Sequence, residues 1–208
     1  MLPLETVLLF CSASLLLALA PGPDNIFVLT QSALRGAFSG FIVTLGLCTG
    51  LIFHTTAVAF GVAAIFQTSD IAFTVLKVIG AAYLLYLAYL SWKAPIEVID
   101  DAKRDIRSSA ALFRRGVIMN ITNPKVSIFF LAFLPQFADP SRGSMIAQIY
   151  SLGGLFMLSA LVVFSMISLL SGRIGKVLRE KANTQRLLNR IASGVFAGLA
   201  LKLLTAQR

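Results

Sequence analysis

The chain has 208 residues, 57% of them hydrophobic and 13% charged, with a formal net charge of +9. At a mean hydropathy of +0.85 a soluble domain of this length could not hide its apolar surface, so the chain belongs in lipid. Nucleic acid, the usual partner of a basic protein, is excluded by the placement of the charges, which fall into three loops rather than onto one face.

Crossing roughly 30 Å of hydrocarbon takes about 20 apolar residues per helix. Six runs qualify: 4–34, 40–66, 71–92, 116–137, 145–170 and 187–204. The first carries "ALAPGPDNIFVL" through its middle; no Lys or Arg precedes it and it continues too far past the Pro-Gly-Pro for a secretory signal, so it reads as mature protein. Pro23 opens a helical stretch that ends at the Arg35-Gly36 turn. The second run holds His54, four residues after Gly50; a lone membrane histidine is either a hydrogen-bonded packing residue or a proton relay. Cys11 and Cys48 stand one per helix, a spacing that suits neither a metal site nor a redox pair, and they read as packing residues.

The third run follows a tight connection at 67–70 and ends at "KAPIEVIDDAKRDIRSSAALFRR", a linker over about 93–115 in which Pro95 stops the helix and Asp100 faces Arg104 at i,i+4 spacing. The fourth contains "NITNPKVSIFF", with Asn123 as a natural N-cap and Pro124 as the first helical residue. After the fifth comes "GRIGKVLREKANTQRLLNR", whose cations interleave with Ile174, Val177 and Leu178; it reads as an amphipathic helix on the anionic inner leaflet or as a plain connector. The sixth run is short and admits Arg190, which snorkels, as Lys77 and Lys202 are expected to do near the outer helix ends.

Arg35 follows the first run; Lys93, Lys103, Arg104, Arg107, Arg114 and Arg115 follow the third; Arg173, Lys176, Arg179, Lys181, Arg186 and Arg190 follow the fifth. These loops share one side, which the positive-inside rule makes cytoplasmic, so both termini are expected outside the inner (plasma) membrane of a multi-pass protein. Residues 1–208 form a single transmembrane domain whose halves, about 1–95 and 110–208, hold three helices each. An odd number per half makes the second half enter the membrane inverted, so the expected fold is all-α, six transmembrane helices as two inverted three-helix repeats with helices 1 and 4 broken.

Proline inside a helix removes a donor and frees a carbonyl, and lipid has no water to satisfy either, so such breaks survive only against protein or a wet cavity. Gly22 and Pro23 cap the second part of helix 1 as Asn123 and Pro124 cap that of helix 4. Two half-helices then begin near mid-membrane from opposite directions, with bare N–H groups and positive dipole ends converging on a place for a carboxylate. Asp24 and Lys125 lie in the first turns after the breaks, where an ionised residue costs about 2.5 to 3.5 kcal/mol on insertion scales. Lys125 opposes its own helix dipole and so requires an anion, either Asp24 or a substrate carboxylate. Asp24 binds a substrate ammonium, carries a proton, or simply pairs with Lys125 to hold two helices together. Asn25, Gln31, Asn120 and Asn123 line the cavity or cap freed backbone. Gly36/Gly40, Gly46/Gly50 and Gly194/Gly198 have the G-x-x-x-G spacing of close helix contacts and leave room for a homodimer.

Together, "PGPDNIFVLTQSALRGAFSGFIVTLGLCTGLIFH", "IGAAYLLYLAYLSWK" and "NPKVSIFFLAFLPQF" resemble the LysE/RhtB family of bacterial amino-acid exporters, over nearly the whole chain and in order. The resemblance implies proton-motive-force-driven efflux of amino acids or close derivatives by alternating access, with no enzyme activity, metal or organic cofactor. It places the substrate site at Pro21, Gly22, Pro23, Asp24, Asn25, Asn123, Pro124 and Lys125, with Asp24 and His54 as proton-coupling candidates. The first motif favours neutral substrates. The alternatives are a divalent-metal cation exporter of the same superfamily, disfavoured by Lys125 beside a single carboxylate, and a membrane enzyme or thiol-redox conductor, which needs a nucleophile, a metal cluster or paired cysteines. The partners implied are the amino-acid substrate, protons and the bilayer, and no nucleic acid.

Overall fold

In a computed structural model that describes residues 2–68, 70–93, 108–171 and 182–205, the chain is helical, with no strand among the described residues. The first apolar run is cut where expected. Helix α1 (Leu4–Leu19) stops before the Pro-Gly-Pro, and α2 (Pro23–Arg35) restarts with Gly22 as N-cap and Pro23 as its first residue, bent 60° from α1. Gly36 ends α2 at φ 88°, a left-handed conformation that only glycine takes without strain. Helices α3 (Ala37–Thr68) and α4 (Asp70–Lys93) follow with one residue between them.

The fourth run breaks in the same way. Helix α5 (Ser109–Thr122) is capped by Ser108, and α6 (Pro124–Ile128) restarts after Asn123 at a 51° bend. It does not continue as α-helix to about Gln136: it widens to a π-helix over Phe129–Phe133 and tightens to a 3-10 turn over Leu134–Phe137. Pro135 is the cause, since its missing N–H and its ring cannot be fitted against the carbonyl of Leu131 in α register. Helix α7 (Met145–Leu169) and α8 (Ala182–Thr205) complete the chain.

Among the described residues three stretches are long and apolar enough to cross a membrane alone, Ala37–Gly61, Met145–Leu169 and Arg186–Thr205, and the two bent pairs raise the number of spans to as many as five. Against the six expected, the run 71–92 forms α4, a 24-residue helix, without joining that set. Pro95, the Asp100–Arg104 pair and the stretch 172–181 lie outside the described residues. In the loop after Phe137, the Asp139 carboxylate accepts from the Ser141 hydroxyl and N–H and from Arg142 Nε, and the Ser141 hydroxyl above all holds its pKa below the usual carboxylate value.

Helix α3 is the central post, packed most extensively on α5 and α7, with α2 also against it; α4 lies along α8, and α1 against α7. Glycine makes the α3–α5 contact possible. A methyl group on Gly46 would run into the Phe113 carbonyl, and one on Gly116 into that of Val43, so two backbones meet face to face. Of the G-x-x-x-G pairs, Gly46/Gly50 lies wholly in such a contact and Gly40 faces Ser32 and Ser168, whereas Gly36, Gly194 and Gly198 face open space. Overpacking costs about 1–3 kcal/mol, so Gly46→Leu should lower the melting temperature in detergent by several degrees, and Gly194→Leu, the control, should leave it within a degree. Equal melting of both variants would show that α3 and α5 are not held this closely.

Candidate functional site

The two breaks meet. Lys125, in the first turn of α6, does not keep its ammonium at its own helix N-terminus, where the dipole opposes it. Its side chain crosses to the end of α1, where Nζ donates to the carbonyls of Ala20 at 3.0 Å and Leu17 at 3.4 Å. These are carbonyls that the Pro-Gly-Pro break deprives of helical partners, and a cation at a helix C-terminus is favoured by the dipole. Its partners within the protein are backbone carbonyls, and no ion pair joins Lys125 to Asp24. Two of the three ammonium protons are accounted for in this way.

Gly22 lets this happen. A methyl group there would stand 2.9 Å from Lys125 Nζ and 3.5 Å from Cε, so the absence of a side chain is what admits the ammonium. Pro23 and Pro124 occupy equivalent first-helical positions and are exposed, Pro21 is half-buried in the link, and Asn123 caps α6 by accepting from Lys125 N–H at 3.0 Å.

Asp24, in the first turn of α2, is 2% exposed, and Lys125 is 8% exposed. The groups acting on the Asp24 carboxylate are Lys125, Asn123, Asn120 and His54. All are buried, and they come from α3, the last turn of α5 and the second break. Asn25 ties off a freed carbonyl, its Nδ2 donating to Ala18 at 2.7 Å. His54, on α3, lies 3.1 Å by Nε2 from the Asn120 carbonyl; a carbonyl only accepts, so Nε2 carries the proton. Its ring rests against Phe53 and Phe130.

Around this cluster four buried polar atoms have no protein partner: Asp24 Oδ1, Asn25 Oδ1, Asn120 Oδ1 and Asn123 Nδ2. An unsatisfied buried polar atom costs about 1–3 kcal/mol, and native structures carry few. Four within the two breaks and the helix turn before the second make three acceptors and one donor available to a polar guest. Among the described residues Gln31 Oε1 and Ser168 Oγ are the other two such atoms, away from the breaks.

Sequence reasoning missed the phenylalanines around the cluster. Phe10 of α1, Phe129, Phe130 and Phe133 of the π-helix, Phe137 and Phe156 are buried and stacked, with ring centroids 4.9 Å apart for Phe129–Phe133, 5.0 Å for Phe133–Phe137 and 5.1 Å for Phe10–Phe137. Pro135, eleven residues beyond Pro124, was the signal that the helix could not stay regular there.

The family model for the LysE type translocator matches residues 15–207. Among curated relatives, the chain is 31% identical over 201 residues, 96% of its length and 97% of the relative's, to an "Uncharacterized membrane protein" of Vibrio cholerae serotype O1. It is 35% identical over 161 residues, 77% of this chain and 78% of each relative, to the homoserine/homoserine lactone efflux proteins of Salmonella typhi and Salmonella typhimurium. No solved structure matches.

A charge-assisted hydrogen bond is worth about 1.5–3 kcal/mol, or tenfold and more in a rate or affinity. Gly22→Ala moves only the flexible end of Lys125 and should therefore cut transport at least tenfold in a cell-export assay while leaving the melting temperature within two degrees. Full activity in this variant would mean that the Lys125 ammonium need not sit between Ala20 and Gly22.

Proposed function

The chain belongs to the LysE type translocators, and on that premise we propose that it is a secondary exporter of amino acids or their close derivatives, with the solute held between the two helix breaks. The protein is a multi-pass membrane transporter rather than an enzyme. The observation that carries the substrate reading is the set of four partnerless buried polar atoms beside one buried carboxylate and one buried ammonium.

A zwitterion matches that set. Its carboxylate takes the remaining Lys125 proton and the Asn123 amide; its ammonium is received by Asp24, Asn25 Oδ1 and Asn120 Oδ1. Pro21 shapes the link behind Gly22, and Pro23 and Pro124 fix where each half-helix begins. A divalent cation would have to sit beside the Lys125 ammonium with a single carboxylate, which favours the amino-acid reading. The names of the Salmonella relatives bring small neutral substrates within the class. Homoserine is a zwitterion, whereas its lactone keeps the ammonium and has no free carboxylate, so the carboxylate of Asp24 is the recognition element common to both.

We further propose six spans in two inverted repeats, with α4 as the remaining span and both termini outside. The packing supports this. Exchanging the halves pairs α1 with α5, α2 with the segment 124–137, α3 with α7 and α4 with α8. The α3–α7 and α4–α8 contacts map onto themselves, and the α1–α7 contact maps onto α5–α3. Transport then proceeds by alternating access and is driven by protons, with Asp24 as carrier, freed when the ammonium occupies it, and His54 as the second group on the route.

Asp24→Asn should abolish export of both homoserine and homoserine lactone from loaded cells. Lys125→Met should lower homoserine export at least tenfold and lactone export far less, with membrane insertion intact in both variants. Equal losses of the two solutes in the Lys125 variant would show that the ammonium does not read the carboxylate.

A further inference from the structure

The geometry points to the phenylalanine column Phe10–Phe129–Phe133–Phe137 as the outer gate of the transport path, closed in this structure, and to the cavity beyond it as the vestibule into which the zwitterion is released. This deepens the exporter reading and rests on it.

The column stands between two polar places. At one end, Phe129 is one turn beyond Lys125. At the other, Phe133 and Phe137 line a cavity of about 550 Å³, together with Glu5, Asp139, Arg142 and Lys202 among others. Charges of both signs on its walls suit a zwitterion leaving the central cluster, and the Lys202 ammonium sits 4.7 Å from the centre of the Phe137 ring. Between the two places the rings of Phe10, Phe129 and Phe133 are at most 1% exposed and in contact with one another through Phe129.

The third helix of each half clamps this end. Helix α4 packs on Phe129–Phe133, with Gly80 against Ala132, and α8 packs on α1. Exchanging the halves turns these contacts into α8 on α2 and α4 on α5. Among the described residues neither of those pairs makes comparable contact. Two topologically equivalent halves are thus packed unequally, tight around the outer half-helices and loose around the inner ones, which is one of the two states of a two-fold device.

The backbone of the column supplies the movement. A π-helix holds one residue more per turn than an α-helix would, and each α residue turns the helix by about 100° and advances it about 1.5 Å. Returning Phe129–Phe133 to α register, with the 3-10 turn keeping Pro135 out of the ladder, rotates everything beyond by about one such step, which carries Phe137 off Phe10. The 3-10 turn at Pro135 already interrupts the helical ladder, so the rotation need not propagate into α7.

The test uses two readouts in a Cys11→Ala/Cys48→Ala protein in liposomes. In the first, Phe10→Cys and Phe137→Cys are bridged by a short bis-methanethiosulfonate. Bridging should cut homoserine counterflow at least tenfold and reductant should restore it; undiminished counterflow in fully bridged protein would overturn the gate. In the second, independent of transport, Val126→Cys reports on the buried side of the column, where Val126 is 4% exposed. A membrane-impermeant thiol reagent applied from the face bearing the 138–144 loop should label it slowly, and at least tenfold faster when Phe133→Ala is added. Equal labelling rates would also overturn the gate. Absence of counterflow in the cysteine-free parent would count against the exporter reading, and the labelling rates would still decide the gate.

Discussion

A backbone carbonyl released inside hydrocarbon must find a donor, and in this protein the donor is a lysine from the other half of the chain. The Pro-Gly-Pro link removes the amide protons that would have bonded the last carbonyls of α1, and Lys125, 105 residues beyond Ala20, delivers two of its protons there. That crossing ties the two breaks together. It draws Gly22 against the ammonium, sets Asn123 over the start of α6, and leaves Asp24 buried near a positive charge without being neutralised by direct contact. Were Lys125 paired to Asp24 instead, the two charges would be spent on each other and neither would be available to a solute.

The remaining packing keeps that junction from relaxing. Helix α3 approaches α5 so closely at Gly46 and Gly116 that backbone meets backbone, and Gly50 brings α3 against the Asn120 side chain. His54, one turn beyond Gly50 on the same helix, bonds the Asn120 carbonyl. The polar cluster is therefore framed on one side by a near-rigid helix pair and on the other by stacked aromatic rings, each ring pair worth about 0.5–1.5 kcal/mol beyond its buried area. One wall is stiff backbone and the other is side chains on an irregular helix, which locates the place where the structure can give.

Both breaks and their caps were legible in the sequence because helix starts are local chemistry: Gly-Pro and Asn-Pro state a cap and a first residue within a few positions. That Asp24 and Lys125 come near each other was legible from the cost of each alone in lipid. The partner of Lys125 was not, because carbonyls are invisible in a sequence and only the tertiary fold shows which ones a side chain can reach. The π-helix was hidden for a different reason. "FFLAFLPQF" has the apolar character of any membrane helix, and only Pro135 marks that the hydrogen-bond register must slip. Among the glycine pairs, spacing alone did not separate Gly46/Gly50, which touches α5, from Gly194/Gly198, which faces open space among the described residues. Nor did composition fix the number of spans, since a bent pair and a straight helix of equal length look alike in hydropathy.

The two breaks are alike in form, each restarting a helix at a proline, yet chemically opposite. Two residues separate Ala20 from Pro23 and two of the link's four positions are proline, so α1 ends with carbonyls exposed and α2 begins with an acid. A single residue, Asn123, separates α5 from α6, so there the cap is shared between the helices and the first turn brings a base. Two identical breaks would have presented two positive dipole ends and suited a dianion. An acid on one and a base on the other bring both charge signs to the same meeting of helix ends, and the base, anchored to the first break by its bonds to Leu17 and Ala20, ties the two halves of the chain together there.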